Sequence, residues 1–216
     1  MSDERACEQC GTRFIPRREH ARFCSARCRV AWNRADHAHP AAGDSALAWA
    51  IGAMADATDR IPRVAALDRA RAFAVISEAV WWVTIVDANL VRYHPDSYDG
   101  ELTALSQPDR AQIEETLAGL RFVRNQLGHG LDHGDLISAG GQSNASLGRE
   151  WIWNRLAEPP GVGLSPRGRS WEMDRHRAYQ SRLAGRPVDS TFATAATFLR
   201  NVAVGLRPAG GVRAAD

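Results

Sequence analysis

The chain has 216 residues, a net charge of +2 and 44% hydrophobic residues, which are the proportions of a soluble globular protein with a sizeable core. All 27 basic residues are arginine, so a Schiff-base lysine and the lysine of a phosphate-binding P-loop are excluded. Because the net charge is small, any nucleic-acid surface has to be a local patch.

The four cysteines lie close together at the start of the chain, as Cys7-x-x-Cys10 and, after thirteen residues, Cys24-x-x-x-Cys28. Two such pairs can place four thiolates around one tetrahedral ion. No secretory signal precedes them, so we expect a cytoplasmic protein, in which zinc is a better assignment than two disulfides. A closed four-sulfur site leaves no position for water or substrate, so the predicted zinc is structural.

The residues around the cysteines, Cys10-Gly11-x-x-Phe14 and Phe23-Cys24-Ser25-x-x-Cys28-Arg29, resemble the short FCS-like or treble-clef-like zinc fingers. This resemblance implies a zinc-binding knuckle over residues 1–35. Its charge is mainly basic, which predicts nucleic-acid contact by Arg17, Arg18, Arg22, Arg27 and Arg29. A protein-binding knuckle and a folding staple are alternatives that the sequence leaves open.

Residues 36–44 have the composition of a linker, and the segment from 45 to 206 predicts an all-α bundle of about five helices. The first helix is expected to run from Asp44 or Ser45 to about Thr58, and the longest from Pro62 to about Tyr93. From Ala74 the long helix is apolar nearly all round. It therefore has to be covered on several sides, by the bundle and by a second copy of the chain in a homodimer. Its interrupting acids favour a core helix over a membrane span.

The next helix has Ser106 as its predicted N-cap and Gly128 as its predicted stop. One apolar face is formed by Ile113, Leu117, Leu120, Val123 and Leu127. Arg124 falls within this apolar stripe. Because a guanidinium keeps its charge, it requires a partner there: the carboxylate of Glu78 or Asp132, exposed carbonyl groups, or an incoming phosphate.

His129 follows Gly128 directly, so a helix that ends at the glycine lets the imidazole turn back beside Arg124. Arginine matches the oxygens of a phosphate, and histidine takes or gives a proton near neutral pH. Together they suit attack by an RNA 2′-hydroxyl on its own phosphate, without a metal. The alternative is a structural arginine and a histidine that lies in a loop.

The run Arg124-Asn125-x-x-x-His129 at the end of a helix resembles the motif of the HEPN (higher eukaryote and prokaryote nucleotide-binding) ribonucleases. The resemblance implies a dimer of helical bundles and metal-independent RNA cleavage, often in toxin–antitoxin or antiphage systems. It also implies a cognate antitoxin or regulatory protein as a partner. Carried over, Arg124 stabilises the phosphate, His129 is the acid and base, and Asn125 orients them.

Residues 130–169 predict a loop or hairpin insertion, in which Trp151-x-Trp153 alternates like a strand. We expect its hairpin partner before Trp171. Three interpretations are open for the polar residues Asp132, His133 and Asp135. They extend the catalytic cluster, they bind a metal with His129, or they are ordinary polar residues of a loop. Helices are then expected from Ser170 to Gly185 and from Asp189 to about Leu206, with a flexible tail over 207–216. The segment between Arg149 and Arg186 is rich in arginine and tryptophan, the residue types that bind single-stranded nucleic acid. At least two of these tryptophans are expected instead to pack the loop onto the helical bundle.

Overall fold

A computed structural model describes residues 4–16, 21–34, 43–64, 68–128, 133–140, 150–159 and 165–206. In these segments the chain is mostly helical, as predicted, with two small antiparallel sheets. The chain divides into two compact units, Met1–Asp44 and Ser45–Asp216.

The described residues of the first unit form a short hairpin and a helix. Strands β1 (Arg5–Ala6) and β2 (Arg13–Phe14) pair antiparallel, and helix α1 spans Ala26–Arg34. Gly11 adopts a φ of +71° in the turn between the strands, a conformation that favours glycine. Ser25 caps α1, because its hydroxyl oxygen accepts a hydrogen bond from the Cys28 N–H at 3.2 Å.

The helices and strands of the second unit follow in chain order. They are α2 (Gly43–Arg60, which begins at the boundary), a 3-10 turn (Ile61–Arg63), α3 (Arg69–Tyr93), α4 (Pro95–Ala104), α5 (Gln107–Gly128), α6 (His133–Leu136), β3 (Ile137–Ala139), β4 (Trp151–Trp153), α7 (Pro166–Arg182) and α8 (Val188–Gly205). The predicted number of about five helices was too low for this unit, because α4 and the short α6 were missed.

Helix α5 lies at the centre of this unit and packs against α3, α7 and α8. The predicted apolar stripe is buried or packed against the core, from Ile113 to Leu127. A second buried face, which includes Gly119 and Phe122, meets α7. A Cβ atom at Gly119 would lie 3.2 Å from the Cα atom of Tyr179, so glycine permits this close approach.

Strands β3 and β4 form a hairpin that is fixed to the turn between α7 and α8. The indole N–H of the buried Trp153 donates to the Thr191 hydroxyl at 3.0 Å, and the Gly185 N–H donates to the Trp153 carbonyl at 2.7 Å. The strand prediction at Trp151–Trp153 is confirmed, but its partner precedes it in the chain rather than following it. The buried Trp151 and Trp153 are packing residues, as expected for at least two of the tryptophans.

Three predicted helix boundaries were wrong because the caps lie elsewhere. The long helix begins only at Arg69, where Asp68 accepts from the Arg71 N–H at 3.0 Å. Ser165 rather than Ser170 caps α7, and Pro187 rather than Asp189 precedes α8. Pro166 follows Ser165 at the first helical position, where the missing N–H has no effect.

By length and composition, α3 is one helix in the described segments that could cross a membrane. Half of its most apolar window is buried inside the protein, and Asp87 is among its buried residues. Contacts with α5 and α8 account for this burial, so α3 has the packing expected of a core helix.

Candidate functional site

The four cysteines of the first unit converge on one point. Their sulfur atoms all lie within 4.8 Å of one another. The Cys10–Cys24 and Cys10–Cys28 distances are 3.7 Å, and the Cys24–Cys28 distance is 3.5 Å. A tetrahedral metal with bonds of about 2.3 Å separates its sulfur ligands by about 3.8 Å, so this cluster fits such an ion.

The pKa of the Cys7 thiol is lowered by its surroundings. Desolvation of Cys7 opposes the thiolate, but the N–H groups of Cys24, Cys10 and Gln9 outweigh it and lower the pKa of Cys7 to about 6. The Cys7 N–H and carbonyl are themselves bonded to Thr12 and Gly11, which fixes the knuckle turn. The first cysteine pair therefore offers a stable thiolate to a metal.

The predicted nucleic-acid arginines of the first unit have different environments. Arg22 is bound to both oxygens of Glu8, at 2.7 and 2.5 Å, and lies over the rings of Phe23 and Trp32. Arg22 therefore has a structural role in this unit. Arg27 and Arg29 are exposed on α1, whereas Arg17 and Arg18 lie outside the described residues. Contact of these five arginines with nucleic acid stays a prediction.

Arg124 lies in the last turns of α5, half-buried beside α3. Its guanidinium carbon is 4.8 Å from the centre of the Trp81 ring, and Trp81 is 50% exposed. Among the residues that the structure describes, no carboxylate forms an ion pair with Arg124. The indole supplies a cation–π contact but no counter-charge, so the guanidinium keeps its capacity to bind an anion.

Of the two acids predicted to meet Arg124, Asp132 lies outside the described residues, and the prediction of Glu78 was wrong. Glu78 is exposed and pairs with Arg60 at 2.6 Å. The buried acid of α3 is Asp87, which receives a hydrogen bond from the Nε of Arg121 at 2.7 Å and one from the Tyr98 hydroxyl at 2.8 Å. Arg121 does not belong to the apolar stripe of α5, and the sequence did not indicate this network.

Asn125 faces α7 rather than α3. Its Nδ2 donates to one oxygen of Glu172 at 2.9 Å, and the Nε2 of Gln126 donates to the other at 3.3 Å. Arg175 lies 3.7 Å from the same carboxylate, whose side chain is only 12% exposed. Sequence reasoning missed Glu172, because nothing in the local pattern shows which acid of α7 meets the end of α5.

His129 lies outside the described residues, as does Asp132, and only the backbone of His133 is described. The approach of the imidazole to Arg124 therefore stays a prediction. Asp135 is exposed at the surface of α6. The structure places Arg124 and Asn125 on the same helical turn, with their side chains directed at different neighbours, α3 and α7.

An exposed aromatic residue lies directly beside Glu172 in the chain. Trp171 is 52% exposed, and the guanidinium of Arg167 lies 4.6 Å from the centre of its ring. Helix α7 also carries Arg169 and Arg177 at its surface. This surface has the indole and the charge that single-stranded nucleic acid contacts.

A separate groove of about 850 Å³ runs between α2 and α3. At one end the rings of Trp49 and Trp82 meet edge to face with centres 5.0 Å apart, and Trp49 is 67% exposed. Charged residues line the rest of the groove, namely Asp56, Asp59, Arg60, Arg63 and Glu78. No described residue of the candidate site on α5 lines this groove.

The end of α5 thus combines a guanidinium without a described counter-ion, an indole against it and an amide fixed by a buried carboxylate. This arrangement can bind a phosphate and a neighbouring polar group. Family models, curated proteins and solved structures were compared with the chain, and none of them matches it.

Proposed function

We propose that the protein is a metal-independent endoribonuclease of HEPN type, in which Arg124 and His129 act on the RNA backbone. The observation that supports this most directly is the position of Arg124. A guanidinium that is half-buried without a described carboxylate partner is costly unless an anion approaches it. The phosphodiester of RNA has the charge and the geometry for such a contact.

In the proposed reaction His129 takes the proton of a ribose 2′-hydroxyl as that oxygen attacks the adjacent phosphorus. The bond from phosphorus to the 5′-oxygen of the next nucleotide breaks, and His129 returns the proton that it took to this leaving oxygen. The products are a 2′,3′-cyclic phosphate and a 5′-hydroxyl. Arg124 stabilises the negative charge that develops on the phosphate oxygens during the attack.

The first unit is proposed to bind a structural zinc ion through Cys7, Cys10, Cys24 and Cys28. Its support is the separation of the sulfur atoms, which fits a tetrahedral four-sulfur site. The zinc stabilises the knuckle and takes no part in RNA cleavage. Arg27 and Arg29, which are exposed on α1, are proposed to help bind the RNA.

A homodimer, with a cognate antitoxin or regulatory protein as a further partner, completes the proposal. The exposed side of α3 supports the dimer, because it carries Trp81, Val91 and other apolar residues. Trp81 contacts Arg124, so a second copy placed on this side would lie beside the candidate site. A role in toxin–antitoxin or antiphage defence follows only from the resemblance of the motif.

The decisive experiment is incubation of the zinc-loaded full chain with mixed single-stranded RNA under brief exposure to EDTA. We expect cleavage that leaves 2′,3′-cyclic phosphate ends. Arg124→Ala and His129→Ala should each lower the rate at least about 100-fold, because each removes a transition-state interaction. Their melting temperatures should stay close to that of the wild type.

Arg110→Ala is the matched control, because Arg110 is an exposed arginine on the same helix with Glu114 as its partner at 3.0 Å. It should cleave RNA at the wild-type rate. Undiminished cleavage by Arg124→Ala or His129→Ala would refute the catalytic assignment. Loss of cleavage in EDTA while the helices of the second unit remain folded would show that the reaction needs a metal.

A non-catalytic nucleic-acid-binding regulator is the second candidate, favoured by the exposed arginines of α1 and by Trp171 with Arg167 on α7. It predicts salt-sensitive binding of RNA or DNA without strand scission. The groove with the exposed Trp49 supports a third candidate, a protein-interaction module. That module would form a stable complex with a partner protein and have no affinity for nucleic acid at physiological salt.

A further inference from the structure

Glu172 is a largely buried carboxylate of α7 whose two oxygens both receive hydrogen bonds from the end of α5. Its side chain is 12% exposed, and the amide nitrogens of Asn125 and Gln126 are its donors. Asn125 and Gln126 follow Arg124 directly. Glu172 therefore determines how the polar side chains next to the proposed phosphate-binding arginine are oriented.

The chemistry of the carboxylate fixes the direction of the Asn125 amide. An ionised carboxylate only accepts hydrogen bonds, so Asn125 has to present its NH₂ group to Glu172. The carbonyl oxygen Oδ1 then faces away from Glu172 and is free for another partner, as is the second hydrogen of the NH₂ group. A carbonyl oxygen accepts hydrogen bonds and repels phosphate, so Oδ1 of Asn125 is suited to a hydroxyl donor and not to the anion.

We infer that Glu172 is a positioning residue that holds Asn125 with its carbonyl oxygen ready to accept a hydrogen bond from a ribose 2′-hydroxyl. This inference rests on the proposed function in one respect, namely that Arg124 contacts the phosphate of RNA. Arg124 and Asn125 are consecutive on α5, but their side chains diverge by about 100°. The inference therefore requires a nucleotide that spans both directions, with its phosphate at Arg124 and its ribose at Asn125. DNA lacks the 2′-hydroxyl, and the Glu172–Asn125 pair therefore selects RNA over DNA.

An exchange of the two side chains tests this inference. Asn125→Asp places a second carboxylate 2.9 Å from Glu172, where the two acceptors repel each other. Adding Glu172→Gln restores one donor and one acceptor with their roles reversed, and the pair keeps its total charge. In the double variant the carboxylate introduced at position 125 again has a fixed oxygen that is left to accept the ribose hydroxyl.

The measurement is the affinity of the zinc-loaded full chain for a single-stranded RNA and for the DNA of the same sequence. All variants carry His129→Ala, so that the RNA is not consumed. We expect Asn125→Asp to lower the ratio of RNA to DNA affinity by about fivefold, the effect of one hydrogen bond. The double variant should recover the ratio. A change of charge alters RNA and DNA binding alike and cancels in the ratio.

Gln126→Ala is the control for the second bond of Glu172, and it should leave the ratio unchanged. Melting temperatures separate positioning from folding, because the double variant should melt close to the parent. An unchanged ratio in Asn125→Asp, or a stable double variant that does not recover it, would overturn the inference. Equal or absent binding of both nucleic acids by the parent would overturn it as well.

The proposed nuclease activity is tested separately, by looking for cyclic phosphate ends after incubation of RNA with the chain that retains His129. If RNA preference follows the exchange but no cleavage occurs, the RNA-reading role of Asn125 stands and the nuclease proposal fails. If the chain cleaves RNA but the ratio of RNA to DNA affinity does not change with these substitutions, the nuclease proposal is supported and the positioning role of Glu172 is refuted. Glu172 would then serve only to pack α7 on α5.

Discussion

Tyr98 shows how one residue can link the stability of the bundle to pH. Its hydroxyl donates to the buried Asp87 at 2.8 Å, and Arg121 neutralises that carboxylate. Burial is the main reason that the pKa of Tyr98 is raised above its usual value of 10, and the Asp87 charge adds to it. Tyr179 is also buried, which raises the pKa of its hydroxyl.

A tyrosine pKa that is raised in the folded state makes the free energy of unfolding fall as the pH rises. Unfolded tyrosine ionises above pH 10 while the buried residue stays protonated, so the free energy of unfolding is unaffected below pH 10 and falls above it. Each such tyrosine contributes a slope of about 1.4 kcal/mol per pH unit. Because the chain has no lysine, tyrosine and cysteine are the side chains that titrate from pH 9 to 11.

We therefore predict that Tyr98→Phe lowers the unfolding free energy at pH 8 by about 1–3 kcal/mol, since Asp87 loses a donor. The same variant should be less sensitive to alkali than the wild type between pH 10 and 11. Urea unfolding followed by circular dichroism measures both effects. The cysteines contribute equally to the pH dependence of the unfolding free energy in the two proteins. Identical alkaline slopes would contradict the prediction.

The residue-level contacts were predictable only in part. The position of Arg124 on α5 follows from helical spacing, and the structure places it half-buried as a stripe residue should be. The choice between Glu78 and Asp87 does not follow from spacing, because α3 is apolar nearly all round and any of its acids can point inward. Which acid is buried depends on Tyr98 and Arg121, which come from two other helices.

At the scale of elements, the close approach of α5 to α7 requires a small residue at position 119. A Cβ at Gly119 would lie 2.8 Å from the Cδ1 atom of Leu183 and 3.2 Å from the Cα of Tyr179. A side-chain atom can move aside, whereas the backbone of α7 can move only if the two helices separate. The distance between α5 and α7 also sets the contact between Asn125 and Glu172.

Gly119→Ala is accordingly predicted to destabilise the protein even though alanine favours helices. The gain in helix propensity is about 1 kcal/mol, and overpacking costs about 1–3 kcal/mol. Gly100→Ala is the matched variant, because Gly100 lies in α4 with nothing within 4 Å of its would-be Cβ. Chemical denaturation should show a loss for Gly119→Ala and a gain of up to about 1 kcal/mol for Gly100→Ala. Equal effects in both helices would contradict the packing argument.

Element prediction succeeded where the sequence carries a local signal and failed where the signal is remote. Ser106 caps α5 as expected, with its hydroxyl oxygen 3.4 Å from the Asp109 N–H. Ser165 followed by Pro166 is a stronger start signal for α7 than Ser170, and the prediction from Ser170 overlooked it. The partner of β4 comes earlier in the chain, and no local pattern indicates which strand will pair with it.

At the scale of the whole molecule, one side of α3 carries apolar side chains that remain exposed among the described residues. Ala74, Trp81 and Ala88 recur every seven residues there, and all three are exposed. Ile85 lies between them and is partly exposed, which completes an apolar stripe of the spacing that helix pairs use. A second copy of the chain presents the same stripe and can cover it.

We predict that Ala88→Glu dissociates the proposed dimer, because it places a charge in the stripe without touching Arg124 or Trp81. Ala193→Glu, at an exposed position of α8, is the control and should leave the assembly intact. Sedimentation equilibrium distinguishes the 23.7 kDa chain from twice that mass. A wild-type protein that remains monomeric at tens of micromolar, the range about which weak dimers form, would exclude this interface.

The molecule as a whole was predicted in class but not in arrangement. Periodicity indicated a helical protein, and cysteine spacing indicated a cluster that can hold a metal. The second buried face of α5 was missed because Thr116, Gly119 and Phe122 do not form a conspicuous apolar row. Only the approach of α7, from far along the chain, makes that face part of the core.

This long separation between α5 and α7 has a consequence for synthesis. A ribosome releases α3 and α5 well before α7, so the Gly119 and Phe122 face of α5 is exposed to water while the intervening residues are made. The nascent chain is then a target for chaperones that recognise apolar helices. The candidate site is incomplete for the same interval, because Glu172 arrives with α7.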